Sequence, residues 1–307
     1  MEICRGRCAT VLGERLVNVR PQWLKVRAPS PKEAEEIKIL RDILARYHLT
    51  TVCQGANCPN AVECWSARTA TFMLLGKLCT RTCRFCGVPT SDPGGVVDWE
   101  EPVRLRAAVD ELGLSYVVLT SVDRDDLEDG GARLLATAIA GIKDSGKQSK
   151  VEVLVPDFSG DEKAITAVAA AGADVIGHNL ETVRRLSPHL RDRRAGYDLS
   201  LRVLGKFKRL APASIIKSSL ILGMGETRTE ILQALRDLHN TGVDAVTLGQ
   251  YLRPTGKAIP VARYLLPEDF DEIARAAQRI GFRFVMSGPL VRSSYHASEM
   301  FNRECAS

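Results

Sequence analysis

The sequence predicts an α/β fold, a partial (β/α)6 TIM-like barrel with N-terminal and C-terminal extensions. Three observations predict it. From residue 70 onward, short β-prone apolar runs recur; amphipathic helical stretches lie between them, several ending near Gly; and polar or Gly-rich segments follow the runs, where a barrel gathers its chemistry.

The elements follow in order. A basic leader reaches about Ala28, and Ser30, Pro31 and Glu33 then give a helix start: an N-cap, a proline in the first turn and an acid three residues after the cap. "TVCQGANCPNAVECW" is too rich in Gly, Asn, Pro and Cys to be helical throughout and reads as a ligand-bearing excursion. The runs "ATFMLL", "YVVLT", "VEVLV", "DVIGHN", "IIKSSLIL", "AVTLGQ" and "FRFVMS" read as strands of a parallel sheet. Helices are expected over 99–112, 131–146, 161–171, 199–210, 227–241 and 268–280. The expected division is an N-terminal extension over 1–66, a barrel core over 67–285 and a C-terminal segment over 286–307. Six βα units suit a barrel better than a two-domain Rossmann enzyme, although sequence alone does not decide closure.

A chain of 307 residues with 45% apolar and 26% charged residues can bury its own core. No apolar run approaches the roughly 20 residues of a membrane span, and the first residues lack a secretory apolar segment. The expectation is therefore a cytoplasmic protein with no membrane association. There, nine cysteines in an odd, clustered arrangement read as metal ligands and not as a disulfide framework. A net charge of +5 is too mild to imply nucleic acid. The charge is uneven, however: residues 184–210 hold nine Lys/Arg against Asp192 and Asp198, either a solvated face or a site for an acidic partner.

"KLCTRTCRFCGVPT" follows the first strand and carries Cys79, Cys83 and Cys86 at C-x3-C-x2-C spacing, with Phe85 before the last. One loop can wrap three thiolates around a soft metal centre, yet both structural zinc and an iron-sulfur cubane take four ligands. The vacancy is a place for a substrate or cofactor. Cys53, Cys58 and Cys64 form a second trio at C-x4-C-x5-C, again one ligand short, and Ser293 or Ser294 of "GPLVRSSYHA" is available to supply a harder, more labile oxygen.

The first triad, in its strand context, resembles that of the radical S-adenosylmethionine (SAM) enzymes. In that superfamily the amino and carboxylate groups of SAM chelate the open iron, and an electron from the cluster cleaves the sulfonium to a 5'-deoxyadenosyl radical. Both trios together with "RSSYHA" and "HNLETV" closely resemble the lipoyl synthase family, from about residue 48 to the C-terminus. The resemblance implies two 4Fe-4S clusters and SAM as cofactors. It also implies insertion of two sulfur atoms, at carbons six and eight of an octanoyl chain linked to a lysine of a lipoyl-carrier domain. By motif position Cys79, Cys83 and Cys86 map onto the SAM cluster, and Cys53, Cys58, Cys64 and Ser294 onto an auxiliary cluster dismantled as the sulfur source. Octanoylated 2-oxoacid dehydrogenase E2 subunits or glycine cleavage H protein are the implied partners, with ferredoxin or flavodoxin as electron donor. Octanoyl hydrogens have no acidifying neighbour, so a radical, not a positioned base, must remove them.

Weaker signals stand beside ordinary structural roles. Ser121 and Asp123 in "TSVDRDDL" are placed to bind the methionine amino group, or to cap the following helix. Asn179 and Glu181 match the family's ribose contacts, or form a turn. Gly223 and Gly225 allow close backbone approach to adenine, or simply turn the chain. His178, His189, His239 and His296 have no ligand spacing among them, and Cys4, Cys8 and Cys305 are incidental. Arg292 is placed to pin the C-terminal segment, and acidic carriers are expected to meet the basic segment 184–210. A biotin synthase or methylthiotransferase is disfavoured by a second trio that precedes the SAM motif and by the terminal serines. An electron carrier or zinc scaffold is disfavoured by two incomplete ligand sets in so long a chain.

Overall fold

The computed structural model describes residues 21–26, 28–52, 60–66, 71–146 and 149–295. Cys53 and Cys58 of the second trio, His296 and the incidental Cys4, Cys8 and Cys305 lie outside them.

Helix α1 (Pro31–Arg46) starts as its sequence dictates: Ser30 Oγ accepts from Glu33 N, and Ser30 N donates to the Glu33 carboxylate at 2.8 Å. Its buried Ile37, Leu40, Ile43 and Leu44 recur at helical spacing and join the main core. Strand β1 (Thr50–Thr51) pairs antiparallel with β2 (Thr71–Leu74), and the short α2 (Ala61–Ser66) lies between them in sequence. The other strands are β3 (Tyr116–Ser121), β4 (Lys150–Leu154), β5 (Val175–Gly177), β6 (Ile215–Leu222), β7 (Ala245–Gln250) and β8 (Phe284–Gly288). They continue one sheet in sequential order, parallel from β2 to β8. Six βα units and a seventh parallel strand thus make the array.

The intervening helices are α3 (Glu101–Leu112), α4 (Ala132–Lys143), α5 (Glu162–Ala170), the one-turn α6 (Ser187–Leu190), α7 (Tyr197–Leu210), α8 (Arg228–Asn240) and α9 (Pro267–Ile280). Gly113 and Gly281, both left-handed, end α3 and α9, and Thr227 with Glu230 forms a capping box on α8.

Strand register separates two faces. Phe72, Leu119, Val153, Ile176, Ile216 and Leu248 pack outward into the helices. The inner face carries a small separate cluster of Val175, Ile215 and Ala245 with Phe284 against it, and, unexpectedly, a buried ion pair. Lys217 Nζ donates to Glu152 at 2.8 Å, with the two side chains only 4% and 2% exposed, and Tyr116 Oη donates to the same carboxylate at 2.6 Å. Leu154 and Thr120, one alternation further along β4 and β3, line the cavity described next, so this polar layer lies beneath it.

Candidate active site

After β2, Leu75 and Gly76 take positive φ values and turn the chain into the cysteine loop. Backbone bonds stitch that loop to its neighbours: Thr80 N donates to Asp123 O after β3, Arg84 N to Leu190 O after β5, and Ile259 N, after β7, to Arg84 O. Cys79, Cys83 and Cys86 all line one cavity of about 290 Å³, together with Ser121, Asp123, Asn179 and Glu181. Each sulfur accepts a backbone N–H, from Arg81 at 3.4 Å, Asp192 at 3.3 Å and Val88 at 3.4 Å respectively. Burial, and for Cys79 the Asp123 carboxylate as well, pushes the Cys79 thiol up to about 11; burial pushes Cys83 up to about 12. Three thiols held this way need a bound cation to become thiolates.

Among the described residues, no three His, Cys, Asp or Glu side chains group as the ligands of a single metal ion would. Three thiolates from one loop suit a multi-iron cluster, in which each takes its own iron and one iron stays open to a further ligand. The cavity also contains a polar atom in need of a partner: Ser121 Oγ is buried and makes no hydrogen bond among the described residues. The donor set and this orphan hydroxyl therefore fit a cluster with a polar ligand beside it.

Arg81, inside the cysteine motif, organises the wall. Its guanidinium, 3% exposed, takes both Asp157 oxygens at 2.7 Å, reaches Asp125 at 2.7 Å and lies 3.3 Å from Asp123. Burial raises the Asp123 carboxyl to about 6, against the pull of Arg81. Asp157 is held below the usual carboxylate range because Arg81 outweighs its burial. The cap of α4 falls to Asp129, which accepts from Gly131 and Arg133, so Ser121 and Asp123 are left to the cavity. Asn179 Nδ2 donates to Glu181 at 3.1 Å; Glu181 sits at φ 68° and burial raises its carboxyl.

Gly223 lies elsewhere. It lines a second cavity of about 210 Å³ with Gly225 and Arg263, and at φ 102° a Cβ would meet Gln250 Nε2 at 2.2 Å and Arg263 O at 2.3 Å. Its close backbone approach is thus to the protein's own chain.

The C-terminal turn is tied to the N-terminal elements. Thr71 Oγ1 donates to Ser294 Oγ at 2.9 Å, Asn60 Nδ2 to Leu290 O at 2.7 Å, and Tyr295 Oη to Glu63 at 3.1 Å. Glu63 shares α2 with Cys64. A Cβ on Gly249 would meet Val291 O at 2.0 Å, so only glycine lets this turn cross β7. Arg292 Nη1 donates to Val291 O. Ser293 reaches the cysteine cavity.

His178, which has no ligand spacing with the other histidines, is buried and held by hydrogen bonds inside the protein. Arg191 donates to Ser200 Oγ at 2.8 Å, so Ser200 donates to His178 Nε2, also at 2.8 Å, and Nδ1–H donates to Val155 O. Burial, reinforced by Arg191, lowers the imidazole from 6.5 to about 4. As pH falls below 6.5 the unfolded chain takes up this proton before the folded one, so stability should decline by up to about 3 kcal/mol by pH 4. Chemical denaturation across that window should show a shallower decline in His178→Asn. Arg81, Asp157 and Ser200 carried no sequence signal, because their partners come from separate elements, and Arg191 was legible only as one charge of the basic segment.

The basic segment is not a uniform cationic face. Arg184 pairs with Asp198, Arg185 with Glu230, Arg194 with Asp192 and Asp125, Lys206 with Glu162, and Lys208 with Asp244; Arg191 is buried. Charges read as a run are, three-dimensionally, mostly spent on local partners.

Residues 73–238 match the family model of the radical SAM superfamily. The chain is 52% identical to the lipoyl synthase of Halorhodospira halophila, over 92% of this chain and 83% of that protein, and 51% identical to that of Thermus thermophilus, over 92% and 86%. Its fold resembles the FeFe-hydrogenase maturase HydG from Carboxydothermus hydrogenoformans, with a TM-score of 0.54 at 13% identity, covering 89% of this chain and 79% of that one. With three cysteines opening on one cavity at the strand ends of an α/β barrel, and about half its residues identical to those of the two lipoyl synthases over 92% of its length, the chain belongs to the lipoyl synthase family of radical SAM proteins.

Proposed function

We propose that Cys79, Cys83 and Cys86 hold the SAM cluster, that Ser121, Asp123, Asn179 and Glu181 contact SAM, and that Cys53, Cys58 and Cys64 with Ser294 hold the auxiliary cluster. In this reading residues 1–66 and 286–307 carry the auxiliary ligands and 67–285 the catalytic barrel. The single observation that carries it is the cavity that gathers the motif cysteines around the unpartnered hydroxyl of Ser121. As a lipoyl synthase, the enzyme inserts two sulfur atoms, at carbons six and eight of a protein-bound octanoyl chain, and the auxiliary cluster is the sulfur substrate. When bound, the SAM cluster and SAM supply the one-electron cleavage and hydrogen abstraction that no side chain here can perform.

The chain's own residues bind, orient and exclude water. Arg81 fixes Asp123 at the cavity wall, where its carboxylate can receive an ammonium, while the Ser121 hydroxyl receives or donates one hydrogen bond. Met73, Leu154 and Val155 give the cavity an apolar side on which an alkyl chain can lie away from water. His178 takes no acid or base role, since both ring nitrogens are engaged inside the protein.

The substrates we assign are octanoylated E2 subunits of 2-oxoacid dehydrogenases and the glycine cleavage H protein, with ferredoxin or flavodoxin as electron donor. We place the enzyme in the cytoplasm, where its thiols stay reduced; no helix among the described residues is long and apolar enough to cross a membrane. The test is mass analysis of an octanoylated carrier peptide incubated anaerobically with reconstituted enzyme, SAM and dithionite. Two added sulfurs are expected in the unmodified enzyme. Ser294→Ala should still cleave SAM but leave the peptide without sulfur, and full insertion by that variant would refute the ligand assignment.

A further inference from the structure

Three segments meet over the outer side of the cysteine loop, and they are almost free of acidic residues. Residues 83–91 and 251–263 contain no Asp or Glu, and 187–195 contain only Asp192, which is buried and engaged by Thr82 and Arg194. The contacts that bring them together are specific. Arg84 N and Nη1 donate to Leu190 O and His189 O; Ile259 N donates to Arg84 O; and Pro254 packs on Gly87, where a Cβ would lie 2.9 Å away.

This junction leaves Arg84, Arg193, Arg253 and Lys257 exposed. Arg84 and Arg253 bond only to carbonyl oxygens, and none of the four forms an ion pair among the described residues. That contrasts with the neighbouring Arg81, Arg184, Arg185 and Arg194, each matched to a carboxylate. None of the four lines the cysteine cavity. Cys86, by contrast, both lines it and is exposed, whereas Cys64, Cys79 and Cys83 are half-buried.

We propose that Arg84, Arg193, Arg253 and Lys257 form the docking surface for a small acidic electron-transfer protein, which delivers its electron to the cluster through the Cys86 edge. The inference rests on the assignment of Cys79, Cys83 and Cys86 to the SAM cluster. In each encounter the donor loses one electron and the cluster gains one. Electron transfer falls steeply with distance, so the donor should sit beside an exposed ligand of the cluster, and of the three motif cysteines only Cys86 is exposed. Redox encounters are small and transient, and they are steered by charge more than held by buried area. Four cations that form no ion pair among the described residues supply such a field. The octanoylated carrier is the less suitable occupant, because its tethered chain must enter the cavity, which these side chains do not border.

The experiment uses the reconstituted full chain and measures SAM cleavage with two electron sources, reduced flavodoxin and dithionite. For the double variant R193E/K257E, the flavodoxin concentration giving half-maximal rate should rise by at least about tenfold, and the salt dependence of that value should flatten. The milder R193Q/K257Q should give an intermediate shift, which guards against a folding artefact. Dithionite-driven cleavage and the KM for octanoylated carrier should stay within about twofold in both variants, as expected of rim charges. Unchanged flavodoxin dependence would overturn the proposal, as would a raised carrier KM under dithionite, which would make this the carrier's surface. If the unmodified enzyme cleaved no SAM with dithionite, the cluster assignment itself would fall, and this inference with it.

Discussion

Replacing Lys217 by methionine should lower stability by about 3–5 kcal/mol, a large fraction of what a domain of this size has. The cause is not the loss of an attraction but the charge left behind. Glu152 accepts from both Lys217 and Tyr116 within the barrel, and its side chain is 2% exposed. Without Lys217 a carboxylate remains in a place water does not reach, and it must keep its charge unpaired or take up a proton. The double variant E152Q/K217M should recover most of the loss. It removes both charges while an amide oxygen still accepts from Tyr116, and buried ion pairs are commonly replaceable at little cost. Urea unfolding of the cluster-free protein measures this directly: the midpoint should fall sharply in the single variant and return in the double, at unchanged slope. A single variant within about 1 kcal/mol of the parent would mean that the pair is hydrated.

That pair also shows where sequence reading stops. "VEVLV" alternates as a strand should, and its Glu152 looks like the solvent-facing residue of such a strand; only the register with Val118 and Val175 turns it into the lumen. The barrel was legible because strands and helices recur with periods that local sequence carries. Its helices lie within two residues of their expected bounds, apart from the C-terminal end of α4, where the chain turns at Asp144. Elements shorter than a period were not legible: β1 has two residues, α6 four, and α2 sits within a stretch whose Gly, Asn and Pro argue against a helix. At the site the cysteines were readable from spacing, since one loop supplies all three. Asp157 and Arg191 were not, because a carboxylate becomes part of this wall only when loops after different strands converge on it. The basic segment misled for the same reason, as its neutralising acids come from Glu162, Glu230 and Asp244 on other elements.

Arg81 should be the most sensitive side chain outside the cysteines themselves. Arg81→Gln leaves Asp123, Asp125 and Asp157 facing one another without the cation that now bonds or approaches all three. Asp157 is wholly buried on its side-chain surface, so the cost to stability of the cluster-free protein should again be about 3–5 kcal/mol. The catalytic loss has a separate origin. Arg81 N donates to Cys79 Sγ and its side chain holds Asp123, so a shift of about 1 Å in this corner should slow SAM cleavage by on the order of 100-fold. Arg81→Lys separates the two effects. An ammonium restores one positive charge but not the planar fork that grips both oxygens of Asp157, so thermal stability should recover in part while SAM cleavage remains at least about tenfold low. Equal recovery of both would show that the charge alone matters and that the geometry of the guanidinium positions nothing.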